Sequence, residues 1–159
     1  MSDPIKHECG IAMIRLLKPL RFYKEKYGTS LYGLNKLCLL MEKQHNRGQD
    51  GAGMANIKFD ISPGNKYISI QKSNTTTPIK DIFHDVSAEI AQVAKQPGAR
   101  PEDPEWLKKN ARFTGELFLG HLRYGTYGGN GIERCHPFLR ESNWMTRSLV
   151  VAGNFNLTN

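Results

Sequence analysis

The stretch Cys9-Gly10-Ile11-Ala12-Met13-Ile14-Arg15-Leu16-Leu17 decides how this chain reads. From Gly10 to Leu17 it is apolar except for Arg15, which predicts a buried strand lying centrally in a sheet and closed by Pro19. A cysteine at the head of such a strand is, taken singly, a small core residue. Its setting changes with three distant segments: Gln44-His45-Asn46-Arg47-Gly48-Gln49, Gly120-His121-Leu122-Arg123-Tyr124-Gly125-Thr126, and Gly153-Asn154-Phe155-Asn156-Leu157.

Outward from that strand, the sequence predicts alternating groups of strands and helices. A mixed loop runs to Gly28, and Thr29 or Ser30 caps a helix reaching about Gln44. Leu31, Leu34, Leu37, Cys38 and Met41 form its inward stripe, which makes Cys38 a core residue. Turn residues around Gly48, Gly51 and Gly53 follow, then two alternating stretches, 52–59 and 66–72, joined by Ile61-Ser62-Pro63-Gly64-Asn65 as a hairpin. Pro78 opens an amphipathic helix carrying Ile79, Ile82, Phe83, Val86, Ile90 and Val93, ended by Pro97-Gly98. Asp103-Pro104 starts a short helix through Trp106 and Leu107. The stretches 116–122 and 149–152 read as the last two strands. Because helices sit between groups of strands and do not alternate strictly with them, the pattern predicts an α+β layered domain rich in antiparallel pairing.

Composition narrows the class. A chain of 159 residues with 39% hydrophobic and 23% charged residues suits one soluble domain. No apolar run approaches the ~18 residues of a membrane helix, and Met1 to Glu8 lacks the apolar core of a secretory signal. Three unevenly spaced cysteines, Cys9, Cys38 and Cys135, make no disulfide framework and point to a reducing, cytoplasmic setting. The net charge of +7 is dispersed, with acids interleaved as in Lys24-Glu25-Lys26, which speaks for a solvated surface and against nucleic-acid or membrane partners.

A cysteine nucleophile acting on an amide needs a base, a grip on the substrate and donors for the oxyanion. If Cys9 became the first residue, its own α-amino group could be the base, since such amines titrate at roughly 7.7–8. Arg123, at the end of an apolar strand, can hold a carboxylate through two parallel hydrogen bonds, or equally form a surface ion pair. Asn154 can offer its side-chain amide to an oxyanion, with the next backbone N–H joining it, or can be an ordinary turn residue. Cys135-His136 supplies only two metal ligands, too few to predict a site, and His121 reads as a strand residue.

Together these segments resemble the class II glutamine amidotransferases, which are N-terminal-nucleophile hydrolases. The carriers are Cys9-Gly10-Ile11, Gln44-His45 with Arg47-Gly48-Gln49 and Gly51-Ala52-Gly53, and Gly120-His121 with Arg123-Tyr124 and Thr126. Within the class, residues 44–53 and Arg123-Tyr124 are most similar to the amidophosphoribosyltransferase branch. The resemblance runs from Cys9 to about Asn159 with a gap between Asp60 and Thr114, so the helix from Ile79 to Gln96 reads as a lineage-specific addition. Where the family has His-Asn-Gly, this chain has Gly153-Asn154-Phe155.

The resemblance implies an αββα sandwich of two antiparallel sheets between helical layers. It implies that residues 1–8 are a propeptide and 9–159 a glutaminase domain, part of a longer protein. It makes Cys9 the nucleophile, Arg123 the holder of the glutamine α-carboxylate, Thr126 a lining residue of the same pocket and Arg47 a brace for the loop near Cys9. Asn154 and the Phe155 N–H become the oxyanion hole. Glutamine is the implied substrate, and the released ammonia would pass to a phosphoribosyltransferase domain beyond this segment, to form phosphoribosylamine for purine synthesis. Cofactors, Mg2+ and in some relatives an iron–sulfur cluster, belong to that further part and not to this segment; the full-length family enzymes are homo-oligomers. Two other readings stay open: a class II amidotransferase with a different acceptor domain, and an inactive module kept for assembly or regulation.

Overall fold

Leu34, Leu37 and Met41 on one helix, and Ile79, Ile82, Val86 and Ile90 on another, make two apolar stripes that share a single core with an antiparallel sheet. The structure, a computed structural model, describes residues 8–125, 129 and 131–155. Along them run β1 (Gly10–Arg15), α1 (Leu20–Tyr27), α2 (Tyr32–Lys43), β2 (Ala52–Ile57), β3 (Ile68–Ser73), α3 (Pro78–Ala94), α4 (Pro104–Asn110), β4 (Leu117–Leu122), β5 (Phe138–Arg140) and β6 (Leu149–Val151). Short 3₁₀ turns lie at His45–Arg47, Ile132–Arg134 and Met145–Arg147. The fold is therefore mixed helix and strand, with two antiparallel sheets and four α-helices among the described residues.

The larger sheet has the order β1-β4-β2-β3, with every neighbouring pair antiparallel. Its register puts Ala12, Gly120 and Met54 on one face, where Met41 and Leu37 of α2 lie against Gly120. The other face carries the row Ile11, His121, Gly53 and Lys72. The two-stranded sheet, β5 paired with β6, approaches that second face: Lys72 Nζ lies 4.7 Å from the centre of the Phe138 ring.

Two expectations need correcting. Among the described residues β1 is an edge strand, not a central one, because β4 pairs with only one of its sides. It is also half buried: Ala12 faces the core at 6% exposure while Ile11 and Met13 are 44% and 67% exposed. The stretch after Pro19 is not a loop but α1, which buries only Leu20 and is fastened instead by stacking of Tyr23 and Tyr27 on Tyr32 of α2, with ring centres 5.1 and 4.4 Å apart. The helix from Pro78 packs into the main core, where Ile82 and Val86 are fully buried together with Phe118.

At the end of the sheet away from Cys9, Lys58 is buried and donates to the carbonyls of Lys108 and Ala111 at 2.6 and 2.7 Å, so α4 is tied to the chain following β2. Burial, aided by nearby Lys108, pushes this ammonium down to about 8. Lys108 in turn pairs with Glu116, whose other oxygen accepts from the Phe59 N–H at 2.9 Å. These bonds satisfy charges that would otherwise be costly to bury.

At Gly33 of α2 the Phe118 ring fills the place of a side chain. In an exposed helix, alanine would be favoured over glycine by about 1 kcal/mol. Here a Cβ would enter the ring's van der Waals envelope, and overpacking of that kind costs about 1–3 kcal/mol. Gly33→Ala is predicted to lower the urea-unfolding free energy by about 1–2 kcal/mol at an unchanged m-value; a stabilised variant would contradict this packing.

Candidate functional site

The site begins with a main-chain exchange just past the formal ends of β2 and β4. The Arg123 N–H donates to the Gly51 carbonyl at 2.7 Å, and the Asp50 N–H donates to the Arg123 carbonyl at 3.1 Å. This close approach needs Gly48: a Cβ there would stand 2.6 Å from both the carbonyl carbon and oxygen of Arg123. Asp50 then reaches across, its Oδ2 accepting from the Gly125 N–H at 2.8 Å. The loop after α2 is thus bonded to the loop after β4 at three points.

Cys9 joins the same place from the β1 side. Gly10 pairs with Leu122, so the strand direction carries Cys9 alongside Arg123, and the Tyr124 N–H points at Cys9 Sγ at 3.4 Å. The thiol is half buried. Arg47 lies against the start of β1, with its Cβ 3.4 Å from where a Cβ on Gly10 would be, and Gln44 Oε1 is 3.1 Å from that point. The Arg123 side chain is buried, and its Nη2 donates to the Gly129 carbonyl at 2.7 Å. Thr126, Asn156 and Leu157 fall outside the described residues, as do Met1 to His7 of the expected propeptide.

Asn154 and Phe155 follow β6, both exposed, and they reach the site through Gly153. The Gly153 carbonyl accepts from His121 Nε2 at 3.2 Å, and its N–H donates to His136 Nδ1 at 3.1 Å. The Phe155 ring lies over Gly153 where a side chain at that position would sit, so small and large have exchanged places on either side of Asn154.

Two residues carry this geometry without having been singled out as functional by sequence. Asp50 stands two residues before a strand in a glycine-rich turn, and its signal was an acidic residue where the turn needed only small ones. His136 stacks on His121 with ring centres 4.6 Å apart, and the adjacent Cys135 is fully buried, with its Sγ 3.8 Å from the Ser73 carbonyl. Among the described residues no group of three or more His, Cys, Asp or Glu could hold a metal ion, and no helix is long and apolar enough to cross a membrane.

The electrostatics around the second sheet face favour neutral histidines. Burial pushes His121 down to about 4, with His136 and the cation of Arg123 adding to the shift. His136 is lowered as well, by burial first and then by Lys72 and Arg123. Burial raises the Cys135 thiol, against the pull of the same two cations.

No protein-family model and no curated protein matches the chain. Among solved structures, it is similar to the glutamine phosphoribosylpyrophosphate amidotransferase from B. subtilis complexed with ADP and GMP, at 28% sequence identity and a TM-score of 0.38. That similarity covers 77% of this chain and 18% of the other, so the chain spans less than a fifth of that protein's length.

A testable consequence follows from His121. Its folded-state value lies below the ordinary 6.5, so between about 4 and 6.5 the unfolded chain binds more protons than the folded one. Its contribution is complete above 6.5 and is lost as the pH falls toward 4, an effect on the order of 3 kcal/mol at most. Urea unfolding at pH 7, 5.5 and 4.5 should show a steep acid loss that is smaller in His121→Gln; equal slopes in both proteins would contradict the assignment.

Proposed function

We propose that this chain is the glutamine-hydrolysing domain of a class II amidotransferase of the amidophosphoribosyltransferase type. The observation that carries the reading is the Tyr124 N–H at 3.4 Å from Cys9 Sγ, because it joins two of the motif segments across 115 residues of sequence. The loop after α2 joins the same strand end through Gly48, Asp50 and Gly51. Gly153-Asn154 is fastened two residues back along that strand, at His121. Four segments with no local reason to meet would thus supply a nucleophile, a cation for a carboxylate and donors for an oxyanion.

In this reading the 1–8 segment leaves first and Cys9 acquires a free α-amino group. The amine takes the thiol proton, and the sulfur attacks the side-chain carbonyl carbon of glutamine. The resulting oxyanion is stabilised by the Asn154 side-chain amide and the Phe155 N–H. The carbon–nitrogen bond breaks, the amine's proton leaves with ammonia, and water then hydrolyses the thioester to glutamate. Arg123 holds the substrate α-carboxylate, Thr126 lines the pocket and Arg47 braces the loop beside Gly10. The second sheet, begun by β5 and β6, would be completed into the αββα sandwich by chain beyond Asn159. Transfer of ammonia to phosphoribosyl pyrophosphate belongs to that further part, together with any Mg2+ or iron–sulfur cluster.

Processing gives the first test. With Glu8 attached the Cys9 nitrogen is an amide, which accepts no proton near neutrality. Chain beginning at Met1 should show no glutaminase turnover, and the same chain beginning at Cys9 should release glutamate and ammonia. Active protein whose mass still includes Met1 to Glu8 rules out the terminal-amine mechanism. A correctly trimmed, folded and inactive chain would instead favour the assembly or regulatory reading.

Arg123→Lys tests the carboxylate grip. Lysine keeps the charge but loses the planar fork. The glutamine KM should rise about 10–100-fold, which corresponds to about 1–3 kcal/mol for bonds to a charged group. An unchanged KM would remove Arg123 from that role.

A further inference from the structure

Gly153 has both of its backbone polar groups held by histidines from different parts of the chain, and those histidines stack on each other. We infer that His121 and His136 are positioning residues that clamp Gly153 and so fix the direction of Asn154 and the oxyanion donors. The inference rests on the glutaminase reading above.

The geometry works through the peptide plane. The Gly153 carbonyl and the Asn154 N–H belong to one planar, trans unit, so they point in opposite directions. Anchoring the carbonyl to His121 Nε2 therefore sets where the Asn154 N–H points and where its side chain starts. The second bond, from the Gly153 N–H to His136 Nδ1, fixes the preceding plane, so neither dihedral of Gly153 is left free. That matters because glycine would otherwise be the most mobile point in the hinge between β6 and Asn154.

The two bonds also assign the protons. His121 must carry hydrogen on Nε2 to donate, which leaves its Nδ1 a bare acceptor; that atom is buried and has no hydrogen-bond partner among the described residues. His136 must be bare at Nδ1 to accept. His136 is therefore a neutral imidazole, and burial holds His121, lowered to about 4, neutral as well, a state that every charged neighbour favours. Arg123 beyond β4 and Lys72 on β3 are cations, and His121 and His136 are 1% and 6% exposed. Burying an atom without a partner is unfavourable for stability.

Side-chain amides can replace each nitrogen separately, since the Asn oxygen stands where Nδ1 does and the Gln amide nitrogen where Nε2 does. The experiment uses the chain beginning at Cys9. His136→Leu should lower glutaminase kcat about 10–100-fold, less than the roughly 10²–10³ typical of outright loss of an oxyanion donor, because the donors are misdirected and not removed. Its glutamine KM should stay within about twofold of the wild type, and His136→Asn should recover most of the rate. Hydrogen exchange at the Gly153 amide should become fast in His136→Leu and stay protected in His136→Asn. Iodoacetamide alkylation of Cys9, which needs no oxyanion donor, should proceed at the same rate in all three proteins. If His136→Leu fails to fold, His121→Leu against His121→Gln makes the same comparison on the carbonyl side.

An active wild type with full kcat in the leucine variant would overturn the clamp and leave the glutaminase reading standing. So would a loss of rate that the asparagine variant does not recover, or a parallel rise in KM. Absence of turnover in the trimmed wild type would overturn the glutaminase reading, and the positioning role with it, even if the exchange pattern at Gly153 held.

Discussion

The structure around the candidate site depends on one stretch of main-chain pairing, in which Arg123 exchanges hydrogen bonds with Gly51 and Asp50 beyond the formal ends of their strands. Backbone bonds at a strand end fray unless something holds the two chains together. Here Gly48 lets the returning loop lie directly on the Arg123 backbone, and the Asp50 carboxylate bonds the chain beyond it at Gly125. The loop after α2, the end of β4 and Cys9 at the head of β1 are consequently one unit. Loss of that pairing would free the loop after α2 from the strand end that the β1–β4 ladder sets beside Cys9.

The sheet's two faces divide the work. The helix-covered face supplies rigidity through a dry apolar core in which Leu37, Met54, Ile82 and Phe118 are buried together. On the other face, the row through His121 and Gly53 meets the segment of Cys135, His136 and Gly153. A polar arrangement buried that deeply is stable only if its hydrogen bonds are made and its rings stay neutral. The cations of Arg123 and Lys72 support the second condition, and would also favour a developing oxyanion nearby.

Much of the fold was legible in the sequence because its long elements announce themselves by period and by caps. Pro78 and the stripe from Ile79 to Val93 gave α3, and Asp103 before Pro104 gave α4, whose cap accepts from the Glu105 N–H at 3.0 Å. The short or weakly buried pieces were not legible. α1 has one buried residue and takes its hold from tyrosine stacking with a different helix, a signal that no single-segment pattern contains. β5 has three residues, too few to show alternation, and the edge position of β1 depends on which strands pair with β4. At the site, Cys9, Arg123 and the Gly48 loop, which the family resemblance singled out, lie in one neighbourhood, whereas Asp50 and His136 act through partners 75 and 17 residues away and become visible only in three dimensions.

The central claim is that Cys9 sits in a pocket shaped for glutamine, and the three cysteines provide an internal control. Treating the trimmed chain with a glutamine-shaped diazoketone and mapping the adduct by peptide mass reads the claim directly. A single adduct on the peptide beginning with Cys9, suppressed by added glutamine, is the result predicted here. An adduct on Cys38 or Cys135 in preference to Cys9, or labelling of Cys9 that glutamine does not slow, would contradict it.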